Sequence, residues 1–280
     1  MRACSLCTVM AILAFVTPAV AVDSGSGRSS QGISRTPGGV TPASQETISA
    51  DRVADLTGAG LGRCPRPQSS PCDFTDDFFI EGCTFSTTGR NRFFVLEPGF
   101  ELVLEGEEDG EELGVTITVL DETMSVGGVE TRIVREVETV DGELAEISYN
   151  YFAMCVETGS VFYFGEDVDI YEGGVVVSHD GAWRAGEDGA RAGIMMPGTI
   201  LVGSRYYQEI APGVALDRAE NVSLDERVRT GAGDFDDCLL VDETTPLEPK
   251  SRSVKLYAPG IGLVVDDEVK LVDYTDPARN

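Results

Sequence analysis

A chain of 280 residues that holds 48 Asp and Glu against 21 Lys and Arg carries a formal charge of −27 and a single histidine, His179. A field of that sign repels phosphate backbones and anionic membrane surfaces, which argues against nucleic acid as a partner and leaves cations, basic polymers and neutral ligands.

The first 21 residues read as a secretory signal peptide: Met1-Arg2, an apolar run from Val9 to Val16, then the small-x-small pattern Ala19-Val20-Ala21. That run is shorter than the roughly 20 residues a bilayer span needs, and no later segment approaches this length. The expectation is a secreted or periplasmic domain without membrane insertion. Cys4 and Cys7 precede the apolar run, so neither sits where a lipid-modified cysteine would follow a cleavage site. Residues 22–60 are expected to be a disordered linker, poor in large apolar side chains to about residue 45, with room for a short helix between Ser44 and Leu56. Residues 61–90 form a Cys-containing irregular lead-in broken by Pro65, Pro67 and Pro71.

Removing the leader takes two of the seven cysteines and leaves five, in a compartment where disulfides form. Two bridges and one leftover thiol is the simplest count; Cys155–Cys238 and Cys72–Cys83 are the expected pairs, against the alternative that Cys155 and Cys238 are unpaired, buried apolar residues. Among the five remaining cysteines no C-x-x-C pair exists, which weakens a zinc reading.

Residues 91–276 are expected to form the β-rich globular domain. Short β-branched and aromatic runs recur from Phe100 to Leu104 through Val269 to Tyr274, among them Thr131–Thr139, Glu143–Cys155, Val161–Phe164, Val168–Tyr171 and Cys238–Glu243. Asp141-Gly142 and Gly173-Gly174 are hairpin-turn dipeptides. Connections this short demand antiparallel neighbours. The fold class is therefore all-β: a strongly curved antiparallel meander sheet, half-barrel or open barrel, which manages its edges better than a flat sheet.

Three sets of residues carry candidate chemistry. Glu101 to Glu112 holds seven carboxylates, and Glu166, Asp167 and Asp169 lie close together near a turn; such oxygens suit calcium, or else are solvated strand ends. The Gly-rich run from Gly181 to Gly198 concentrates Trp183, Arg184, Arg191, Met195 and Met196. With Tyr206 and Tyr207 it offers an apolar surface and two cations to orient the anionic end of a lipid-like ligand, or else it plugs one end of the sheet. His179 lies between Ser178 and Asp180, but neighbours on a strand point to opposite faces and make no triad. Carboxylate pairs for glycoside hydrolysis are numerous only because the chain is acidic. Asn221-Val222-Ser223 is a glycosylation acceptor in a eukaryotic context.

Several motifs in one order resemble a family of uncharacterised secreted bacterial proteins: Asn91-Arg92-Phe93-Phe94-Val95-Leu96-Glu97-Pro98-Gly99, Val161-Phe162-Tyr163-Phe164-Gly165-Glu166-Asp167, Gly181-Ala182-Trp183-Arg184-Ala185-Gly186, Tyr206-Tyr207-Gln208-Glu209, and Thr244-Thr245-Pro246-Leu247-Glu248-Pro249 followed by Tyr257-Ala258-Pro259-Gly260-Ile261-Gly262-Leu263-Val264. The closing segment is more loosely similar to periplasmic domains shaped like the lipoprotein-carrier half-barrel. The resemblance implies a curved antiparallel sheet with an apolar concavity and no activity. The expectation is a secreted non-enzymatic domain that binds an apolar or amphipathic ligand in its curved sheet; the alternative is an acidic calcium-binding extracytoplasmic surface or matrix module.

Overall fold

Alternating β-branched and polar residues punctuated by tight turns build a long antiparallel meander. The structure, a computed structural model, describes residues 74–279. The leader, the linker with its short helix, Cys64 and Cys72 lie outside the described residues. The chain enters through β1 (Phe85–Ser86) and a small hairpin, β2 (Gly89–Asn91) and β3 (Phe94–Leu96). It then runs through β4 (Glu101–Glu108), β5 (Glu111–Val126), β6 (Val129–Val140), β7 (Glu143–Cys155), β8 (Val161–Glu172) and β9 (Val175–Ser178). After these come β10 (Trp183–Arg184), β11 (Arg191–Met196), β12 (Arg205–Tyr207), β13 (Glu209–Ile210), β14 (Arg218–Thr230), β15 (Gly233–Thr244), β16 (Ser253–Ala258), β17 (Gly262–Asp266) and β18 (Val269–Thr275). Among the described residues no helix is long and apolar enough to cross a membrane.

The main path through the sheet takes thirteen strands in the order β12-β14-β15-β16-β17-β18-β4-β5-β6-β7-β8-β11-β13. Its two ends, β12 and β13, are separated along the chain by Gln208 alone. One extended stretch therefore pairs with β14 through its first half and with β11 through its second, and the curved sheet nearly closes on itself. Most predicted strands fall where the alternation places them, although Ala215–Leu224 and Arg227–Thr230 are joined in the single strand β14, and the Asp141-Gly142 turn has both residues at positive φ (51° and 76°), the hairpin geometry whose twist matches the flanking strands.

Three local differences have physical causes. Val161–Phe164 and Val168–Tyr171 are one strand, because a bulge absorbs the irregularity between them: Asn150 pairs with Glu166 while Phe152 pairs with Tyr163, so β8 carries one extra residue. The run from Gly181 to Gly198 is not one long loop. Its two ends pair with β8 as β10 and β11. The domain also begins before Asn91, since Thr75 bridges Tyr206 and Phe85 pairs with Cys155.

Gly165 sits in the bulge at φ 145°, and a Cβ there would lie 2.4 Å from the Trp183 carbonyl oxygen. Replacing Gly165 by Ala is expected to cost about 2–4 kcal/mol, from a disfavoured backbone and a forced separation of β10 from β8. Urea denaturation followed by emission from the single tryptophan checks the figure; a loss below about 1 kcal/mol would show that β10 yields freely.

One end of the barrel is apolar and is closed by the β2–β3 hairpin. Phe93 and Leu96 are fully buried beneath it and Phe94 packs edge-on to Phe152 at 5.2 Å. Asn91 Nδ2 donates to the carbonyls of Gly159 and Pro197, and Gly260 N donates to the Arg92 carbonyl at 2.7 Å, so the hairpin spans the turns on either side. The Trp183 segment also fills the core, as its plug reading expects, with Trp183, Met195 and Met196 buried and Arg184 and Arg191 paired with Asp167 and Asp76.

The cysteine pairing differs from expectation. Cys155, at the end of β7, is bridged to Cys83, not to Cys238, and Cys83 is therefore not available to Cys72. The reason is topological: β7 and β15 are not neighbours in the ring, whereas β1 carries the lead-in directly alongside the end of β7. Cys238 is a free, fully buried thiol.

Candidate functional site

Beyond the apolar end, the same inward-facing positions become acidic. On β6, Val134, Glu136 and Glu138 are buried at alternate positions, so the carboxylates continue the face that an apolar residue begins. On β8 the bulge brings Tyr163 and Glu166 to the same face although they are three residues apart. Glu209 on β13, Asp217 ahead of β14, Glu243 on β15 and Asp266 on β17 join them in burial. The ammonium in this layer is Lys255 on β16, 3% exposed at its side chain, with Nζ 2.9 Å from Glu243 Oε2 and 3.4 Å from Asp266 Oδ2.

Hydrogen bonds satisfy part of this layer. Gln208 Nε2 donates to Glu243 Oε1 at 2.7 Å, Ser253 Oγ to Asp266 Oδ1 at 3.2 Å, Tyr163 OH to Asn150 Oδ1 at 2.6 Å, and Asp217 N to Glu209 Oε1 at 2.6 Å. Glu136 Oε2, Glu166 Oε1 and Gln208 Oε1 are buried acceptors with no donor. Burial is the main cause that pushes Glu136 up to about 8, Glu146 and Asp217 to about 7, and Asp266 to about 6. It also holds Glu166 and Glu209 well above the carboxylate range. Burial opposes the charge on Lys255, yet Asp266 and Glu243 together keep its ammonium well above the usual lysine value.

No three of these carboxylates bring oxygens within 4.8 Å of one another; among the described residues the one such trio of His, Cys, Asp or Glu is Cys83, Cys155 and Glu157, two of which form the disulfide. A calcium ion held by oxygens at 2.3–2.6 Å needs a tighter set. Nor does the structure bring Glu166, Asp167 and Asp169 together. Glu166 points inward, Asp167 binds Arg184 and Tyr151 on the outer face, and Asp169 Oδ1 lies 2.8 Å from His179 Nδ1. His179 is on the surface, as expected, with its side chain 70% exposed.

The residues expected to bind an amphipathic ligand separate into three groups. Trp183 and Arg184 line an open cleft of about 240 Å³ together with Asp167, Glu187 and Asp188, faced by Ala211, Pro212 and Val214. Met195, Met196 and Tyr206 are core residues; Tyr206 OH reaches Asn221 Oδ1 at 3.3 Å. Arg191 pairs with Asp76 at 3.6 Å and Tyr207 packs edge-on to Phe74 at 6.2 Å, both on the outer surface away from the cleft lining.

The cleft lies at one of the short-laddered junctions of the ring, the two-pair ladder of β17 and β18 being another. β11 shares three register pairs with β8 and two with β13, whereas β7 and β8 share eight. Past Tyr163 the edge of β8 is taken by β10 and β9 instead of β11. Trp183, 6% exposed, fills the resulting seam. Its ring meets the buried Tyr163 edge-on at 5.2 Å, and its Nε1 is buried without a partner. Of the interior carboxylates, sequence reasoning singles out Glu166 alone, as part of a candidate calcium set; the others are passed over because an acidic strand in an acidic chain reads as solvated. The available signal was parity: Val134, Glu136 and Glu138, or Val241 and Glu243, share the period-2 face that packs inward.

Comparison of the chain with protein-family models, with curated proteins and with solved structures yields no match, so the family likeness rests on its motifs alone.

Proposed function

We propose that this chain is a non-enzymatic binding domain, extracytoplasmic as its leader-like start implies, that takes a small amphipathic ligand at the seam cleft. The apolar part of the ligand lies against Trp183, Pro212 and Val214, and its charged end is cationic. The observation that carries the sign is the state of Arg184. Both oxygens of Asp167 lie 2.6–2.7 Å from Arg184 Nη2, and Tyr151 OH donates to the same carboxylate, so the guanidinium is engaged already. What remains charged around the cleft is Glu187 and Asp188, within a chain of net charge −27. An anionic head would meet that field without a free cation to offset it.

Trp183 is the only tryptophan, which makes its emission a local probe. Octylammonium is expected to change it saturably, octyl sulfate at the same concentration is not, and Glu187→Gln with Asp188→Asn is expected to weaken the ammonium roughly threefold to tenfold. Equal responses to both detergent-like ions, or no saturable response to either, would overturn the reading.

A further inference from the structure

We propose that the carboxyl groups inside the barrel are a proton-operated lock on the seam: protonated, they let β8, β11 and β13 close over a dry interior, and ionised, they force that seam open. The lock does not depend on which ligand the cleft takes.

The argument begins from placement. Glu166 on β8 and Glu209 on β13 stand on opposite banks of the seam, each 1% exposed, and β11 between them is held by only three and two register pairs. The charged groups facing this space come from every side. β6 brings Glu136 and Glu138, β7 brings Glu146, and the segment ahead of β14 brings Asp217. β15 to β17 bring Glu243, Lys255 and Asp266. β4, β5 and β18 present Leu104, Val115 and Leu271, and the β12 stretch presents Tyr206. Arg132, the other buried cation on β6, lies toward the apolar end and is bound to the Thr87 and Asp121 carbonyls. The Lys255 ammonium lies against Glu243 and Asp266 and its field also reaches Glu136 and Asp217, whereas Glu166 and Glu209 are governed by burial and by neighbouring carboxyls.

Their orphaned acceptors point the same way. Glu136 Oε2 and Glu166 Oε1 have no donor, and a buried carboxylate oxygen in that condition is costly. A proton on the carboxyl removes the charge. The sign of the linkage follows: folded values raised above the unfolded ones mean that stability is full below the ordinary carboxyl values of about 4 and is lost as pH rises through the folded values, about 6 for Asp266, about 7 for Glu146 and Asp217 and about 8 for Glu136. The strain that accumulates over this window falls on the seam that Trp183 closes, because Glu166 and Glu209 flank it and its ladders are short.

The test needs no ligand, so a failed ligand titration leaves its result standing. Quenching of Trp183 by acrylamide, a neutral probe, is followed from about pH 5 to about pH 9 with far-UV circular dichroism as a check on the fold. The wild type is expected to be shielded at the acid end and to become quenchable through the window while its strand signal persists. Glu166→Gln, the isostere of the protonated acid, is expected to move the change to higher pH and make it shallower, and Glu209→Gln on the opposite bank is expected to do the same. Asp169→Asn, on the outer face, is expected to leave the profile unchanged. A flat wild-type profile overturns the lock, as does a shift of equal size in Asp169→Asn, which would assign the effect to general surface charge.

Discussion

Replacing Lys255 by Met is expected to destabilise the fold by about 3–5 kcal/mol at neutral pH, and by much less near pH 5. Lys255 is 3% exposed and lies against two carboxylates that are each 6% exposed. Removing the ammonium alone strands both acids in a medium that solvates them poorly, and truncating one partner of a buried ion set costs more than the set itself contributes. Asp266, at about 6, is largely neutral near pH 5 and no longer needs the counter-charge. A triple variant, Lys255→Met with Glu243→Gln and Asp266→Asn, is expected to recover most of the loss, because neutral amides need no counter-ion. Denaturant titrations of the single and triple variants at both pH values decide the matter. A Lys255→Met protein that loses under about 1 kcal/mol at neutral pH would mean that water reaches this layer freely.

The second large effect belongs to the Cys83–Cys155 bridge. It closes a loop with a sequence separation of 72, for which the chain-entropy relation gives about 4 kcal/mol of stabilisation. Replacing both cysteines by Ala is expected to cost that amount and to free the lead-in, whose Phe85 ring packs edge-on against Phe162 and Phe164 at 5.6 and 5.2 Å. Cys238→Ala is expected to leave the bridge intact. Its thiol, pushed up to about 11 by burial, is expected to resist alkylation until the protein unfolds. Equilibrium unfolding gives the energy, and mass spectrometry of non-reduced peptides gives the pairing. A peptide joining Cys155 to Cys238 would contradict the structure.

The course of the backbone was legible because turn chemistry and period-2 alternation are local signals. Glu143–Cys155 was placed residue for residue, and the Asp141-Gly142 reversal fixed which strands are neighbours. The bulge at Gly165 was not legible. A glycine between Phe164 and Glu166 reads as a break, and only the pairing with β7 shows that the strand continues through it. For the candidate site, the unusual composition of their segment points to Trp183 and Arg184, which line the cleft, while Met195 and Met196 of the same segment and Tyr206 beyond it are core residues, as Trp183 also is. The acidic interior escaped because charge is informative about burial only once the facing strands are known. The disulfide escaped for the same reason: Cys83 reaches Cys155 through β1, a strand of two residues that no periodicity announces.

A ring whose members follow one another along the chain closes like a zip. Within it each ladder joins strands close in sequence, except the one that seats β18 beside β4. The entropy of bringing distant segments together is therefore concentrated in a single late event, the meeting of first and last strand, and the preceding hairpins assemble with little search. The joining of β18 to β4 is then the step on which the enclosure of so many acids depends.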